Sequence, residues 1–185
     1  MPSIDNTKIV IVASDGFEQV ELTTPQKQLR DAGATIHVAT PDGGPIKGWY
    51  FDKWGDETIG DLKIEDIDVA AYDAMVLPGG QINPDVLRAN AGAVQKIKDF
   101  AATGKPLAAI CHAPWLLIEA DLVRGKRLTS FKSIRTDLKN AGAEAVDEQV
   151  AQDGNLITSR NPDDLDAFCK AIVDAVSDNR DRAAA

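Results

Sequence analysis

Short, uninterrupted runs of apolar residues are the feature that most limits what this chain can fold into. The runs within 8–13, 73–77 and 107–110 lack the polar alternation of a half-exposed strand. Such runs fit strands that are covered on both faces, as in a parallel sheet between helices. Segments with helical spacing lie between them. The alternation predicts an α/β fold with one open, mostly parallel sheet and helices on both faces.

The remaining segments add detail to this prediction. A helix is expected after the first strand, with Thr24 and Pro25 near its start and Gly33 at its end. The region 41–68 is rich in Gly, Asp and Trp and predicts loops with short strands, with a hairpin flap as one arrangement. The sequence Asp-Gly-Asn at 153–155 indicates a hairpin turn late in the chain.

Charge and composition exclude several classes of function. The chain has 185 residues and a net charge of −9, which disfavours nucleic acid or a membrane surface as partner. No apolar stretch reaches the roughly 18 residues of a membrane helix, and residues 1–8 lack the apolar segment of a signal peptide. Two cysteines and two histidines match no usual ligand set, so we expect a reducing cytoplasmic setting, no metal and no cofactor. The length fits one domain over 1–185, with an ordered core at about 8–177.

The segment around Cys111 carries the strongest functional signal. A buried strand, 107–110, runs directly into Cys111, and Pro114 suits the first turn of a helix that begins at once. This is the pattern of a nucleophile elbow, whose tight turn needs small neighbours such as Ala109 and Ala113. The elbow places the sulfur at the carboxyl end of a strand and near a helix N-terminus, which favours the thiolate. A small buried cysteine that closes a strand is the alternative.

The other cysteine and the two histidines differ in context. Cys169 lies on the apolar face of the last predicted helix and His37 lies within a strand, so both are expected to be structural. His112 is then the candidate base for a thiol nucleophile. A structural residue at the start of a helix is the alternative for His112.

Two other strand ends are expected at the same edge of the sheet. Gly16 permits a sharp turn after the first strand, and Glu18 would open the following helix. A protonated Glu18 near Cys111 would donate a hydrogen bond to the thiolate, although a plain helix-start acid is equally compatible with the sequence. Gly79 and Gly80 end another strand, where backbone N–H groups would suit an oxyanion hole.

These pieces occur together in a known family. In chain order they are DGFE at 15–18, LPGG at 77–80, AICHAP at 109–114 and TSRNPDDL at 158–165. Together they resemble the ThiJ/PfpI superfamily, and within it the PfpI branch of intracellular-protease-like stress proteins. The resemblance runs from Lys8 to about Val176, which is nearly the whole chain.

The resemblance implies a flavodoxin-like three-layer αβα sandwich and a homodimer or larger homo-oligomer. It implies that Cys111 is the nucleophile, that Glu18 is hydrogen-bonded to its sulfur, and that the backbone N–H groups of Gly80 and His112 form the oxyanion hole. In the protease-like members the histidine is the base, and an acid from a neighbouring subunit orients it. Asp85 is the matching acid in this chain, although it is shorter than the glutamate of some relatives.

Three functions are compatible with this resemblance. The first is a stress-response enzyme that uses Cys111 on a small aldehyde or glycated substrate, of the glyoxalase III or protein deglycase type. The second is an intracellular cysteine peptidase using Cys111, His112 and Asp85. The third is a redox sensor or chaperone that acts through oxidation of Cys111. Class I glutamine amidotransferases share the elbow cysteine, but they are excluded because no histidine follows His112.

Overall fold

The computed structural model describes residues 3–184, which form a mixed arrangement of strands and helices. The strands are β1 (Lys8–Val12), β2 (Phe17–Glu18), β3 (Thr35–Thr40), β4 (Ile46–Tyr50), β5 (Lys53–Thr58), β6 (Leu62–Lys63), β7 (Ala74–Leu77), β8 (Leu107–Ile110), β9 (Arg127–Leu128), β10 (Glu144–Ala145), β11 (Val150–Asp153) and β12 (Leu156–Ser159). The helices are α1 (Gln19–Asp31), α2 (Ile82–Arg88), α3 (Ala91–Ala102), α4 (Pro114–Glu119), α5 (Arg135–Asn140) and α6 (Leu165–Ala184).

A seven-stranded sheet forms the centre of the fold. Its strands lie in the order β11, β12, β8, β7, β1, β3, β6, and every neighbouring pair is parallel except β11 and β12. Strands β3, β1, β7, β8 and β12 follow the order of flavodoxin-like doubly wound sheets, so the predicted fold class is confirmed. The carboxyl ends of β1, β7 and β8 meet at one edge, where such sheets bind their ligands.

Apolar side chains on the two faces of this sheet pack against two layers of helices. On the face that α6 covers, Ile11 packs in one core cluster with Phe168. On the other face, Val10 belongs to a second cluster with Phe100 of α3. Adjacent residues of β1 therefore point into different cores, because successive side chains of a strand alternate between its faces. This double burial explains why the strands appear in the sequence as unbroken apolar runs.

The first helix begins earlier than the sequence predicts. It starts at Gln19, so Pro25 lies inside the helix rather than near its start. Proline cannot donate the helical hydrogen bond, but Leu22, Pro25 and Leu29 are all buried at helical spacing. The burial of this apolar stripe outweighs the missing bond. The end of the helix is as predicted, since Gly33 follows it with a φ of 107°.

The segment between β3 and β6 forms the predicted hairpin flap. Strands β4 and β5 are antiparallel, and β2 pairs with β4 in parallel to complete a small three-stranded sheet. The late hairpin is also confirmed, with β11 and β12 joined by a turn at residues 154–155. None of the helices within residues 3–184 is long and apolar enough to cross a membrane.

We expect Ile11→Ala to lower the free energy of unfolding by about 2–5 kcal/mol, because the side chain is fully buried in the core and its loss leaves a cavity. Urea denaturation measures this change. The matched control is Ile59→Ala at a side chain that is 77% exposed, where the change should stay within about 0.5 kcal/mol. Equal losses for the two variants would contradict the described packing.

Candidate active site

Cys111 lies at the edge of the sheet where β1, β7 and β8 end. Its φ is 64°, a left-handed conformation that is strained for a residue with a side chain. Its N–H donates to the carbonyl of Ser159 at 3.0 Å, and its carbonyl accepts from the N–H of Phe131 at 2.9 Å. Ala109 and Ala113 on either side are fully buried. The predicted nucleophile elbow is therefore present, and hydrogen bonds from neighbouring segments hold its strained residue in place.

The carboxyl group beside the sulfur is that of Glu21, not that of Glu18. Glu18 precedes α1 and is half-buried, whereas Glu21 lies within the first turn of the helix and is fully buried. Oε2 of Glu21 accepts a hydrogen bond of 2.8 Å from the N–H of Gly79. The Glu21 carboxyl also interacts with the Cys111 thiol. The sequence-based choice of Glu18 is wrong because the helix starts at Gln19, so that the inward-facing acid comes three residues later.

Burial decides the protonation state of this carboxyl. It raises the pKa of Glu21 to about 8. The hydrogen bond from the N–H of Gly79 lowers this pKa, and the charge of Glu18 raises it further. Oε1 of Glu21 is buried without a hydrogen-bond partner, which also disfavours the charged form. At neutral pH Glu21 is therefore mostly protonated and can donate to a thiolate. It fills the role that the sequence analysis gave to a protonated Glu18.

The resting Cys111 is a thiol rather than a thiolate. Burial, followed by the neighbouring Glu21 carboxyl group, raises the pKa of Cys111 well above its usual value, although the backbone N–H groups of Gly80 and His112 oppose this. The backbone N–H of His112, just before α4, favours the thiolate in the expected direction, but burial of the sulfur outweighs it. Attack by such a thiol would require a base to take its proton.

His112 is in position to be that base. Its Nδ1 lies 3.1 Å from the Cys111 Sγ, and its Nε2 lies 3.1 Å from the Oγ of Ser133. Burial lowers the pKa of His112, so the imidazole is neutral at neutral pH and can accept a proton. The ring stacks on Phe131 with the ring centroids 4.8 Å apart. Ser133 was not identified from the sequence, because it lies 21 residues away in a segment with no recognisable motif.

The two glycines after β7 have different roles. The N–H of Gly79 is bound to Glu21, so its predicted place in an oxyanion hole is wrong. The N–H groups of Gly80 and His112 are directed at the sulfur instead. Their role in an oxyanion hole stays a prediction. A Cβ atom at position 79 would lie 2.7 Å from both the Cys111 Cβ and the Glu21 Oε2. Only glycine therefore lets the carboxyl and the cysteine approach each other.

Asn83 joins two of the strand ends beneath the site. Its side chain is fully buried, and its Oδ1 accepts the N–H of Ser14, after β1, at 2.7 Å. Its Nδ2 donates to the carbonyl of Pro78, after β7, at 2.8 Å. This amide is a structural part of the site that the sequence analysis did not single out, since a lone asparagine after a glycine pair carries no pattern.

The remaining candidates lie away from the sulfur. Asp85 is exposed on α2 and makes no contact with His112 among the described residues of this chain. Its predicted role involves a neighbouring subunit, so that role stays a prediction. His37 is hydrogen-bonded through Nδ1 to the hydroxyl of Tyr72 at 2.9 Å, and Cys169 is fully buried in the core, as expected of structural residues.

An open pocket of about 390 Å³ lies over Cys111. Its lining combines the catalytic candidates with residues from the flap and from the loops after β1, β7 and β12. The lining residues are Gly16, Glu18, Glu21, Trp49, Phe51, Gly80, Gln81, Ile82, Cys111, His112, Phe131 and Pro162. Within residues 3–184, no group of three or more His, Cys, Asp and Glu side chains is arranged to hold a metal ion.

Comparison with known proteins identifies the family. The model of the DJ-1/PfpI family matches residues 7–175. The "Protein/nucleic acid deglycase 2" of Escherichia coli is 44% identical over 164 residues, which cover 87% of this chain and 92% of the relative. A Bacillus subtilis relative, YraA, provisionally named a cysteine protease, is 41% identical over 162 residues, 87% of this chain and 93% of its own.

The fold agrees with this result. The crystal structure of Drosophila melanogaster DJ-1beta superposes with a TM-score of 0.84 at 28% identity, covering 95% of this chain and 91% of that one. This chain belongs to the DJ-1/PfpI family, and the match confirms the resemblance to the ThiJ/PfpI superfamily and its PfpI branch.

The raised pKa of Glu21 predicts a measurable dependence of stability on pH. A group whose pKa rises on folding stabilises the protein fully below its unfolded pKa and loses that contribution as the pH rises through the folded value. Between about pH 4.5 and 8, the free energy of unfolding of the wild type should therefore fall by up to about 1.4 kcal/mol per pH unit. Glu21→Gln lacks the titrating carboxyl group and should not show this fall.

Denaturation curves across this pH range test the effect. Glu144→Gln, at an exposed strand position, removes one carboxyl outside the site and should keep the wild-type slope. Parallel pH dependences for wild type and Glu21→Gln would contradict the protonation state assigned to Glu21.

Proposed function

We propose that this protein is a cysteine-dependent enzyme of the deglycase type that acts on reactive carbonyls. The observation that carries the proposal is the 3.1 Å contact between the Cys111 Sγ and Nδ1 of a neutral His112, at the bottom of an open pocket. Several relatives are named deglycases, among them the Escherichia coli protein. A soft nucleophile, a proton acceptor and N–H donors are what addition to an aldehyde requires.

The first step forms a bond between sulfur and carbon. His112 takes the thiol proton on Nδ1, and the sulfur adds to the aldehyde carbon of methylglyoxal. The carbonyl oxygen becomes negative, and the N–H groups of Gly80 and His112 are placed to bind it. The imidazolium then returns the proton to this oxygen, which gives a neutral hemithioacetal. The protonated Glu21 stabilises the sulfur while it is negative, without adding a charge of its own.

The second step converts the hemithioacetal to lactate by proton transfers and hydrolysis. The hydrogen on the hemithioacetal carbon moves as a proton, through His112, to the neighbouring carbonyl carbon. The hydroxyl proton moves to the oxygen of that carbonyl, so that a thioester of lactate forms. Water cleaves the thioester and releases lactate and the free thiol. With a hemiaminal on a glycated side chain, the sulfur bonds to the same carbon as the carbon–nitrogen bond breaks. The thiol proton, carried by His112, goes to the leaving nitrogen, and the same hemithioacetal forms. No cofactor is consumed in either sequence.

The peptidase and redox alternatives have less support. A peptidase of this kind orients its histidine with an acid, whereas Nε2 of His112 faces the hydroxyl of Ser133, a contact that an incoming Asp85 of a second subunit would have to replace. An oxidation sensor favours an accessible thiolate, whereas Cys111 is 6% exposed and has a raised pKa. Both alternatives remain distinguishable by experiment.

We expect the purified protein to consume methylglyoxal without glutathione and to produce lactate, and Cys111→Ser to abolish this turnover. Cys169→Ala is the matched control, since this second cysteine is buried in the core and should leave the rate unchanged. No turnover in the wild type, with cleavage of an unfolded protein that Cys111→Ser abolishes, would establish the peptidase instead. No turnover with rapid, selective oxidation of Cys111 by dilute peroxide would favour the redox role.

Ser133 should act as a positioning residue for His112. If Nε2–H donates to the Ser133 Oγ, the lone pair of Nδ1 faces the thiol. A net hydrogen bond contributes about 1 kcal/mol, so Ser133→Ala should lower kcat/KM about fivefold. The rate of Cys111 alkylation should fall in parallel at neutral pH, and Ser133→Thr should restore both. A Ser133→Ala variant with wild-type alkylation kinetics would show that the hydroxyl does not orient the base.

A further inference from the structure

The wall of the pocket formed by β2 and the flap carries an acidic group without a cationic partner among the described residues. Glu18 is half-buried and lines the pocket; its carboxylate accepts a hydrogen bond from the backbone N–H of Gln19 but forms no ion pair within residues 3–184. Its backbone position is paired directly with Trp49 of β4. A partly buried carboxylate without a cation is costly, so a ligand that supplies one would be favoured at this position.

Aromatic rings surround the same opening. Trp49 is held in place, since its Nε1 donates to the carbonyl of Phe51 at 2.8 Å and its ring packs edge-on against Trp54. Phe51 lies at the tip of the flap with a φ of 57° and is 80% exposed. Such exposure of a phenylalanine in a strained turn at a pocket mouth indicates a binding role.

The charge of the lining excludes one class of ligand. Among the described residues that line the pocket there is no lysine or arginine, while Glu18 and Glu21 are both present. A phosphate group would face a carboxylate without a compensating cation. A guanidinium, by contrast, can pair with a carboxylate and stack on an aromatic face at the same time.

Resting on the function proposed above, we propose that Glu18, Trp49 and Phe51 form a cation-accepting rim that selects adducts carried by arginine side chains over adducts carried by nucleotides. The reactive carbon of such an adduct is attached to the guanidinium nitrogen. The carbon can therefore reach Cys111 while the cation remains at the rim. The flap thus determines which carbonyl adducts reach the sulfur.

A competition experiment tests the rim without requiring turnover. The probes are N-acetylarginine methylamide, the uncharged analogue N-acetylcitrulline methylamide, and guanosine monophosphate. Each is titrated as a protectant of Cys111 against alkylation by iodoacetamide. We expect half-protection by the arginine probe at about fivefold lower concentration than by citrulline, with no protection by the nucleotide. Equal protection by arginine and citrulline would overturn the proposal.

Substitutions test which residues cause the preference for the arginine probe. Glu18→Gln should remove the preference for arginine over citrulline, whereas Glu144→Gln, which makes the same charge change outside the pocket, should retain it. Phe51→Ala should weaken protection by the arginine probe. A preference that survives Glu18→Gln would overturn the role of Glu18. If Phe51→Ala changed only the oligomeric state in sedimentation, Phe51 would belong to a subunit contact and its role in the rim would be wrong.

Measurements of turnover distinguish the proposed selectivity of the rim from the deglycase function on which it rests. Methylglyoxal adducts of N-acetylarginine methylamide and of guanosine monophosphate are compared as substrates. If both are processed at equal kcat/KM, the enzyme function stands and the selectivity fails. If neither is processed while the arginine preference in protection persists, the rim stands and the deglycase function fails.

Discussion

The site depends on the close approach of three backbone segments at Gly79. The carboxyl end of β7, the start of α1 and the elbow after β8 meet where a side chain of any size would collide with Cys111 or Glu21. This contact places a carboxyl group beside the sulfur and occupies the N–H of Gly79 at the same time. Of the two glycine N–H groups, only that of Gly80 is left to face the sulfur.

Burial at this junction determines the chemistry. The Cys111 thiol, the Glu21 carboxylic acid and the His112 imidazole lie close together in a small region that excludes part of the solvent. They can do so because none of them is charged in the resting state. In the proposed mechanism, charge separates only when His112 accepts the thiol proton in the presence of a substrate. Glu18, by contrast, is only half-buried, so burial raises its pKa without the full desolvation that Glu21 undergoes.

Much of the fold could be predicted from the sequence because its signals are local. Double-sided burial leaves unbroken apolar runs, and the elbow leaves Ala109, Cys111 and Ala113 in a tight turn. The main error concerned the acid. Glu18 was expected at the start of α1 and is found directly before it, but Glu21 in the first turn of the helix is the fully buried carboxyl group beside the sulfur. Helix boundaries are poorly defined by local propensity, since tertiary packing decides them.

The sequence by itself determined the class of fold, the elbow that carries Cys111 and the histidine adjacent to it, because strand runs, the elbow turn and adjacency along the chain are properties of short segments. Only the tertiary structure decided which acid meets the sulfur, that Ser133 lies behind His112, that Asn83 joins two strand ends, and that aromatic residues of the flap line the pocket. Those contacts join segments far apart in the chain, and their geometry and desolvation exist only once the sheet and helices have packed together.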